Sequence, residues 1–303
     1  MRALASYIMR GQVQAITTVV VCAVFALVLI PLTWPLTYFS AAGVGLVALV
    51  QGPKESGKTV LGASLLTGLL TTVLFGNPAF AFGLAMSLWI PAWLFASLLQ
   101  QTRSLAITLQ TLLLVGVLFV IGMFISLGDP AAWWHQHLMK EVFPALEKAG
   151  LNFEKDGIDK LTQLLTGSLA LMTCFGIAIG LFIARWWQSL LYHPGAFAEE
   201  FQELRLGRVV TIATLLLIAM FYIGDGMLAE LAKNLLFVTL GMLLLQGLAV
   251  VHAVVNRLKL NSTWLVLMYV LLFVAVPFMM IVIIMLGLLD NGLDFRNRLR
   301  ISN

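Results

Sequence analysis

Residues 52–59 read Gly-Pro-Lys-Glu-Ser-Gly-Lys-Thr, so Gly52, Gly57, Lys58 and Thr59 fall in the order of a phosphate-binding loop. Such a loop cradles phosphates with backbone N–H groups, places the lysine on the β and γ oxygens and puts the threonine on a magnesium ion. It also needs a second carboxylate at the end of another strand in a water-exposed α/β core. The apolar runs that end in Asp, at Asp225 and Asp290, end candidate membrane spans instead. Glycine is abundant in the chain, with 25 residues, so four matched positions carry little weight. The expected reading is a turn: Gly52 and Pro53 end one helix, Ser56 caps the next, and Lys54 and Lys58 stay in water. No cofactor is expected.

The other candidates are polar groups inside apolar runs, where an ionisable or amide side chain is costly and marks function by default. They concentrate in one stretch, 225–257, which carries Glu230, Lys233, Asn234, Gln246, His252 and Asn256. Glu230 and Lys233 sit one turn apart and can neutralise each other. Asn234, Gln246, His252 and Asn256 are the expected ligand-binding residues, with hydrogen bonding between helices as the competing reading. His135, His137 and Glu141 form a weak metal pattern, and no metal is assigned to them. No Ser/His/Asp set, Cys/His pair or facing carboxylate pair stands out, so no enzymatic activity is expected. Asp290, Asp294 and Arg296 bracket an Asn291-Gly292 turn, and Asp294 with Arg298 could form a helix ion pair.

These residues must be held by elements that live in lipid. Of 303 residues, 61% are hydrophobic and 11% charged, with a mean hydropathy of +0.99. Soluble domains carry about 25% charged and about 45–50% apolar residues. The fold class expected is all-α, a polytopic transmembrane helical bundle. A crossing needs about 20 apolar residues, and candidate spans fall at 13–31, 35–51, 59–76, 79–99, 104–127, 164–186, 209–224, 231–256 and 263–289. That gives nine spans, or eight. Pro31 and Pro35 around Trp34 separate the first two.

Orientation follows the loop cations. With a retained first span and a cytoplasmic N-terminus, Lys54/Lys58, Arg103, Arg185/Arg205/Arg208 and Arg257/Lys259 lie inside. Nine spans would leave the tail, with Arg296, Arg298 and Arg300, outside with Asp225 and Asp290. Either one segment is re-entrant or the tail breaks the rule. The net charge of +4 follows from this bias, and no basic stripe suited to nucleic acid is present. Cys22 and Cys174 lie in apolar runs and are expected as buried thiols. The whole chain, 1–303, is expected to form one integral membrane domain. Two stretches are expected outside the bilayer core. Residues 128–163, with six acidic and four basic side chains, form an outer amphipathic insertion with Trp133 and Trp134 at the interface. Residues 187–208 form a cytoplasmic interfacial helix, with Phe197, Phe201 and Leu204 on one face.

Small residues recur every four positions in Ser64/Gly68/Thr72, Ala79/Gly83/Ser87 and Gly176/Gly180/Ala184. In lipid such faces let helices approach closely, and bundle packing is their expected role.

The segments "GLVALVQGPKESGKTVLGASLLTGLLTTVLFG", "WIPAWLFASLLQQTRSL", "HPGAFAEEFQELRLGR", "LLLQGLAVVHAVVNR" and "LGLLDNGLDFRNRLR" resemble the YybS-like family of bacterial multi-pass membrane proteins. That family is similar in its first half to the substrate-binding membrane components of energy-coupling-factor vitamin transporters, and to some rod-shape membrane proteins. The resemblance implies that "QGPKESG" corresponds to their Gly-Pro turn between two spans. The extra spans and the outer insertion depart from those components, so neither substrate nor docking to an ATPase module carries over. The resulting expectation is a bacterial inner-membrane protein that binds or moves a small solute. The alternative is a membrane scaffold that assembles cell-envelope protein partners through its interfacial segments and Arg-rich tail.

Overall fold

The computed structural model describes residues 1–28, 35–148, 155–293 and 296. Among them every regular element is helical and no strand occurs. The helices are α1 (Arg2–Ile8), α2 (Gln12–Val28), α3 (Leu36–Gln51), α4 (Pro53–Phe75), α5 (Ala79–Leu84), α6 (Ile90–Thr102) and α7 (Leu105–Leu127). There follow α8 (Pro130–His137), α9 (Phe143–Lys148), α10 (Lys155–Tyr192), α11 (Ala196–Gln202), α12 (Gly207–Ile223), α13 (Met227–Arg257), α14 (Thr263–Val274) and α15 (Val276–Leu293). Single π-type turns, Ala85–Trp89 and Leu138–Val142, join α5 to α6 and α8 to α9.

Five segments are long and apolar enough to cross a bilayer: Pro53–Phe75, Ala79–Thr102, Leu105–Leu127, Gly157–Tyr192 and Met227–Arg257. The bent pair α11 and α12 makes a sixth if it counts as one span. The other apolar helices, α2, α3, α14 and α15, are shorter, so helix length alone does not reach eight or nine crossings. The expected single span 263–289 is broken. Ala275 leaves helical geometry (φ −117°, ψ 48°) two residues before Pro277, which lacks an N–H and crowds the preceding turn. Pro31, Trp34, Asp294, Arg298 and Arg300 lie outside the described residues.

Two compact units emerge. The first comprises Met1–Leu109 with Phe175–Phe201. Its centre is α3, where every residue from Ser40 to Leu49 is buried. Small side chains let its neighbours close in. Cβ atoms placed on Gly180 and Gly45 would lie 3.1 Å from that of Ala41 and 2.9 Å from that of Ala184. The Gly176/Gly180/Ala184 face of α10 therefore packs on α3, as its spacing predicts. Gly68 similarly faces Ala81, at 3.7 Å. The Ala79/Gly83/Ser87 face does not pack in this way: all three residues are exposed. Ser40 ties the centre together by donating to the Val19 carbonyl (2.8 Å) and accepting from Trp89 Nε1 (2.9 Å).

At the start of α4, Gly52 adopts φ 94° and ψ 176°, a conformation essentially reserved for glycine. Pro53 then opens the helix at a position where its missing N–H costs nothing. Ser56 is not the cap. It lies inside α4, fully buried, and its hydroxyl donates to the Val44 carbonyl at 3.1 Å.

The second unit comprises Gln110–Cys174 with Gln202–Asn303, organised around α13. The most apolar 18-residue stretch of α13 is 72% buried, against 28% for that of α4. Its neighbours approach to backbone contact: a Cβ on Gly167 would lie 2.7 Å from the Asn234 carbonyl oxygen, and one on Gly287 2.7 Å from that of Leu243. Both cysteines are free, and Cys174 is buried against the Leu112 carbonyl. In the stretch 128–163, Asp129 caps α8 by accepting from the Ala132 N–H (2.9 Å). Trp134 Nε1 donates to Thr166 (2.9 Å). Here α10 starts at Lys155, earlier than the expected span at 164.

The stretch 187–208 is not one interfacial helix. Its first residues continue α10 to Tyr192, α11 has only seven residues, and residues 203–206 are not helical. Phe197 and Phe201 do share a face, both packed on Phe182, whereas Leu204 falls beyond the helix.

Candidate functional site

The polar side chains of α13 are engaged by protein. Asn234, 1% exposed, donates to the carbonyls of Gln163 and Glu230 (2.9 Å each) and accepts from the Gly167 N–H at 2.7 Å. Lys233 donates to Gln163 Oε1 at 3.1 Å rather than closing on Glu230. Gln246, fully buried, donates to the Gly287 carbonyl (2.8 Å) and to Asn291 Oδ1 (2.9 Å), and accepts from the Leu206 N–H (2.7 Å). His252 meets its own helix at the Leu248 carbonyl and Tyr269 at 3.4 Å. Asn256 donates to Gln202 at 2.8 Å. The four expected ligand residues are thus spread along one helix, each with a protein partner.

One of these bonds, from the Leu206 N–H to Gln246, serves residues 203–206, the link between α11 and α12. Leu204 and Leu206 are each 1% exposed, between the exposed Glu203 and the half-buried Arg205, and the link is not helical. Irregular backbone is tolerated in an apolar setting only where protein satisfies it. Arg296 donates to the carbonyls of Gln202 (2.6 Å) and Leu204 (3.0 Å), and Gln110 donates to that of Leu206 (3.0 Å). The same guanidinium holds Asp290 Oδ2 at 2.5 Å, with both residues at 1% exposure or less. Arg257 also donates to the Arg296 carbonyl. Asp290 therefore lies at the end of unit 2 that carries Arg257, not at the opposite end as nine crossings require.

Unit 1 carries a different arrangement. A cavity of about 550 Å³ is lined by Leu49, Leu99, Gln100, Arg103, Arg185, Gln188, His193 and Glu200, within the range of about 300–1,000 Å³ typical of small-molecule sites. Arg185 Nε donates to Glu200 Oε2 at 2.6 Å, and its Nη1 donates to Gln188 Oε1 at 2.7 Å. Gln188 in turn donates to the Leu49 carbonyl at 3.2 Å. Arg103 ends α6 in left-handed geometry, φ 52° and ψ 28°, which non-glycine residues rarely adopt. The C-terminal turns of α3, α6 and α10 reach the cavity and repel anions by about 0.3–1 kcal/mol each when exposed. Hydrogen bonds from two guanidinium groups, at about 1.5–3 kcal/mol each, offset that. Sequence reasoning used Arg103 and Arg185 only to mark topology. The polar pairs at span ends, Gln100 beside Arg103 and Gln188 beside Arg185, were the available signal.

The phosphate-loop spelling lies elsewhere in this unit. From Pro53 onward it is helix, so Gly57, Lys58 and Thr59 stand within α4 rather than in a loop. The Thr59 hydroxyl, fully buried, donates to Gln12 Oε1 (2.9 Å), and Lys58 pairs with Glu55 at 2.6 Å. Among the described residues no three His, Cys, Asp or Glu side chains converge as a metal set. His137 stacks on Trp133, and His135 faces Asp159 at 3.5 Å.

Apolar helices of crossing length, packed by glycine faces and amide clasps, define a multi-pass α-helical membrane protein. The chain belongs to the family described as predicted membrane protein, DUF2232, whose model matches residues 15–291. No curated protein and no solved structure matches it.

Proposed function

We propose that this chain is a bacterial inner-membrane protein that binds a small solute in the polar cavity of unit 1. The observation that carries the reading is the contrast in how polar groups are used. Asn234 and Gln246 of α13 are sealed among neighbouring helices at 1% exposure or less, whereas Gln100, Arg103, Arg185, Gln188 and His193 border open volume, where Arg185 and Gln188 also hold each other. The resemblance to YybS-like proteins and, more distantly, to substrate-binding components of vitamin transporters agrees with a solute-binding role. Native mass spectrometry of the purified protein tests it. A co-purifying small molecule lost on Gln188→Leu, in protein that still elutes as a folded species, is the expected result. An unliganded mass under every extraction condition counts against it.

For topology, we propose eight crossings with α14 and α15 together re-entrant, and both termini cytoplasmic. The pairing of Arg257 with the Arg296 carbonyl favours it. A reporter fused after residue 303 should then give a cytoplasmic signal, and an external signal restores nine crossings.

A further inference from the structure

We infer that the unit 1 cavity takes a phosphate group, and that Glu200 occupies its anion position when it is empty; this rests on the solute-binding reading above. The Arg185 guanidinium, a group suited to carboxylate and phosphate oxygens, divides itself between one Glu200 oxygen and Gln188 Oε1. Glu200 already fills that position at 2.6 Å, so the site stabilises an anionic oxygen there. Exchanging this carboxylate for a phosphate oxygen keeps an anionic oxygen on Arg185, and a second lining cation, Arg103, offsets part of the added phosphate charge that the helix C-termini oppose.

Glu200 sits on a short element. It rides on α11, only seven residues long, after Gly195 at φ 94°. The start of α11 is tied to α10 by the Phe197 N–H to Ser189 Oγ bond at 3.3 Å and by Phe197 and Phe201 packed on Phe182, contacts that do not involve the Glu200 carboxylate. Arg103, left-handed at the end of α6, supplies a second cation on the same cavity. Its exposed guanidinium makes no hydrogen bond or ion pair among the described residues. Such strain at a lining cation is the kind that accompanies ligand clamps. Gln100 and Gln188 offer further donors to phosphate oxygens. A phosphorylated solute and the headgroup of an anionic phospholipid carry the same group, and either can supply it.

The test uses full-length protein in two arms. Inorganic phosphate binding is measured by calorimetry in detergent, and retention of phosphatidylglycerol is measured by native mass spectrometry after passage through nanodiscs of phosphatidylglycerol and phosphatidylcholine. Glu200→Gln, which removes the competing charge, should tighten binding about tenfold in the arm that reports the natural source. Arg185→Gln should weaken it at least tenfold, with Arg185→Lys between. Saturable phosphate binding identifies a free solute; phosphatidylglycerol retention without phosphate binding identifies a lipid. If neither arm responds to Arg185→Gln and Glu200→Gln in folded protein, the phosphate inference is overturned. In that case a neutral adduct still lost on Gln188→Leu keeps the solute reading, and no such adduct removes both.

Discussion

Unit 1 and unit 2 each hold a buried or half-buried arginine–carboxylate pair, and the two pairs do different work. In unit 2, Arg296 and Asp290 are sealed from solvent, and the guanidinium divides itself between Asp290 and two backbone carbonyls. In unit 1, Arg185 and Glu200 retain about a fifth of their side-chain exposure and border a cavity. A charge that completes buried backbone is structural. One that borders a cavity, as Arg185 does, is the candidate for a ligand.

The largest effect should come from unit 2. Asp290→Ala strands a buried guanidinium, and breaking such a pair costs about 3–5 kcal/mol. The detergent-solubilised variant should melt far below wild type, and replacing Arg296 with Met as well should recover part of the loss. If Asp290→Ala melts like wild type, the distinction between the two pairs fails. Gln246→Leu comes next. It leaves the Leu206 N–H and Asn291 Oδ1 without their partner, at about 1–3 kcal/mol for each buried orphan. A lowered melting temperature with ligand retained is expected, whereas unchanged stability with ligand lost would return the site to α13. In unit 1, Gly180→Leu forces a side chain against Ala41, and overpacking of this kind costs about 1–3 kcal/mol. Smallest of all, Lys58→Ala removes an exposed pair with Glu55 and should leave both folding and binding unchanged. An ATP affinity abolished by Lys58→Ala would revive the phosphate loop.

The sequence showed the helical runs, the Gly52-Pro53 reversal and the small face Gly176/Gly180/Ala184, because each depends on local spacing or residue type. It did not show which polar groups were already spent. Gln246 finds Leu206, Gly287 and Asn291 about forty residues away in each direction, and nothing local to α13 announces them. The unit 1 cavity was hidden for the same reason. Leu49, Gln100, Arg103, Arg185 and Glu200 come from separate helix ends that only packing brings to one volume. The break at Ala275 was signalled by Pro277, yet the apolar run around it read as continuous.

The most direct test compares native mass spectra of wild type, Gln188→Leu and Gln246→Leu, each first shown to be folded. An adduct present in wild type and Gln246→Leu but missing from Gln188→Leu is the predicted pattern. An adduct that survives Gln188→Leu and disappears from Gln246→Leu would contradict it, placing the ligand at α13 and leaving the Arg185 cavity without a role.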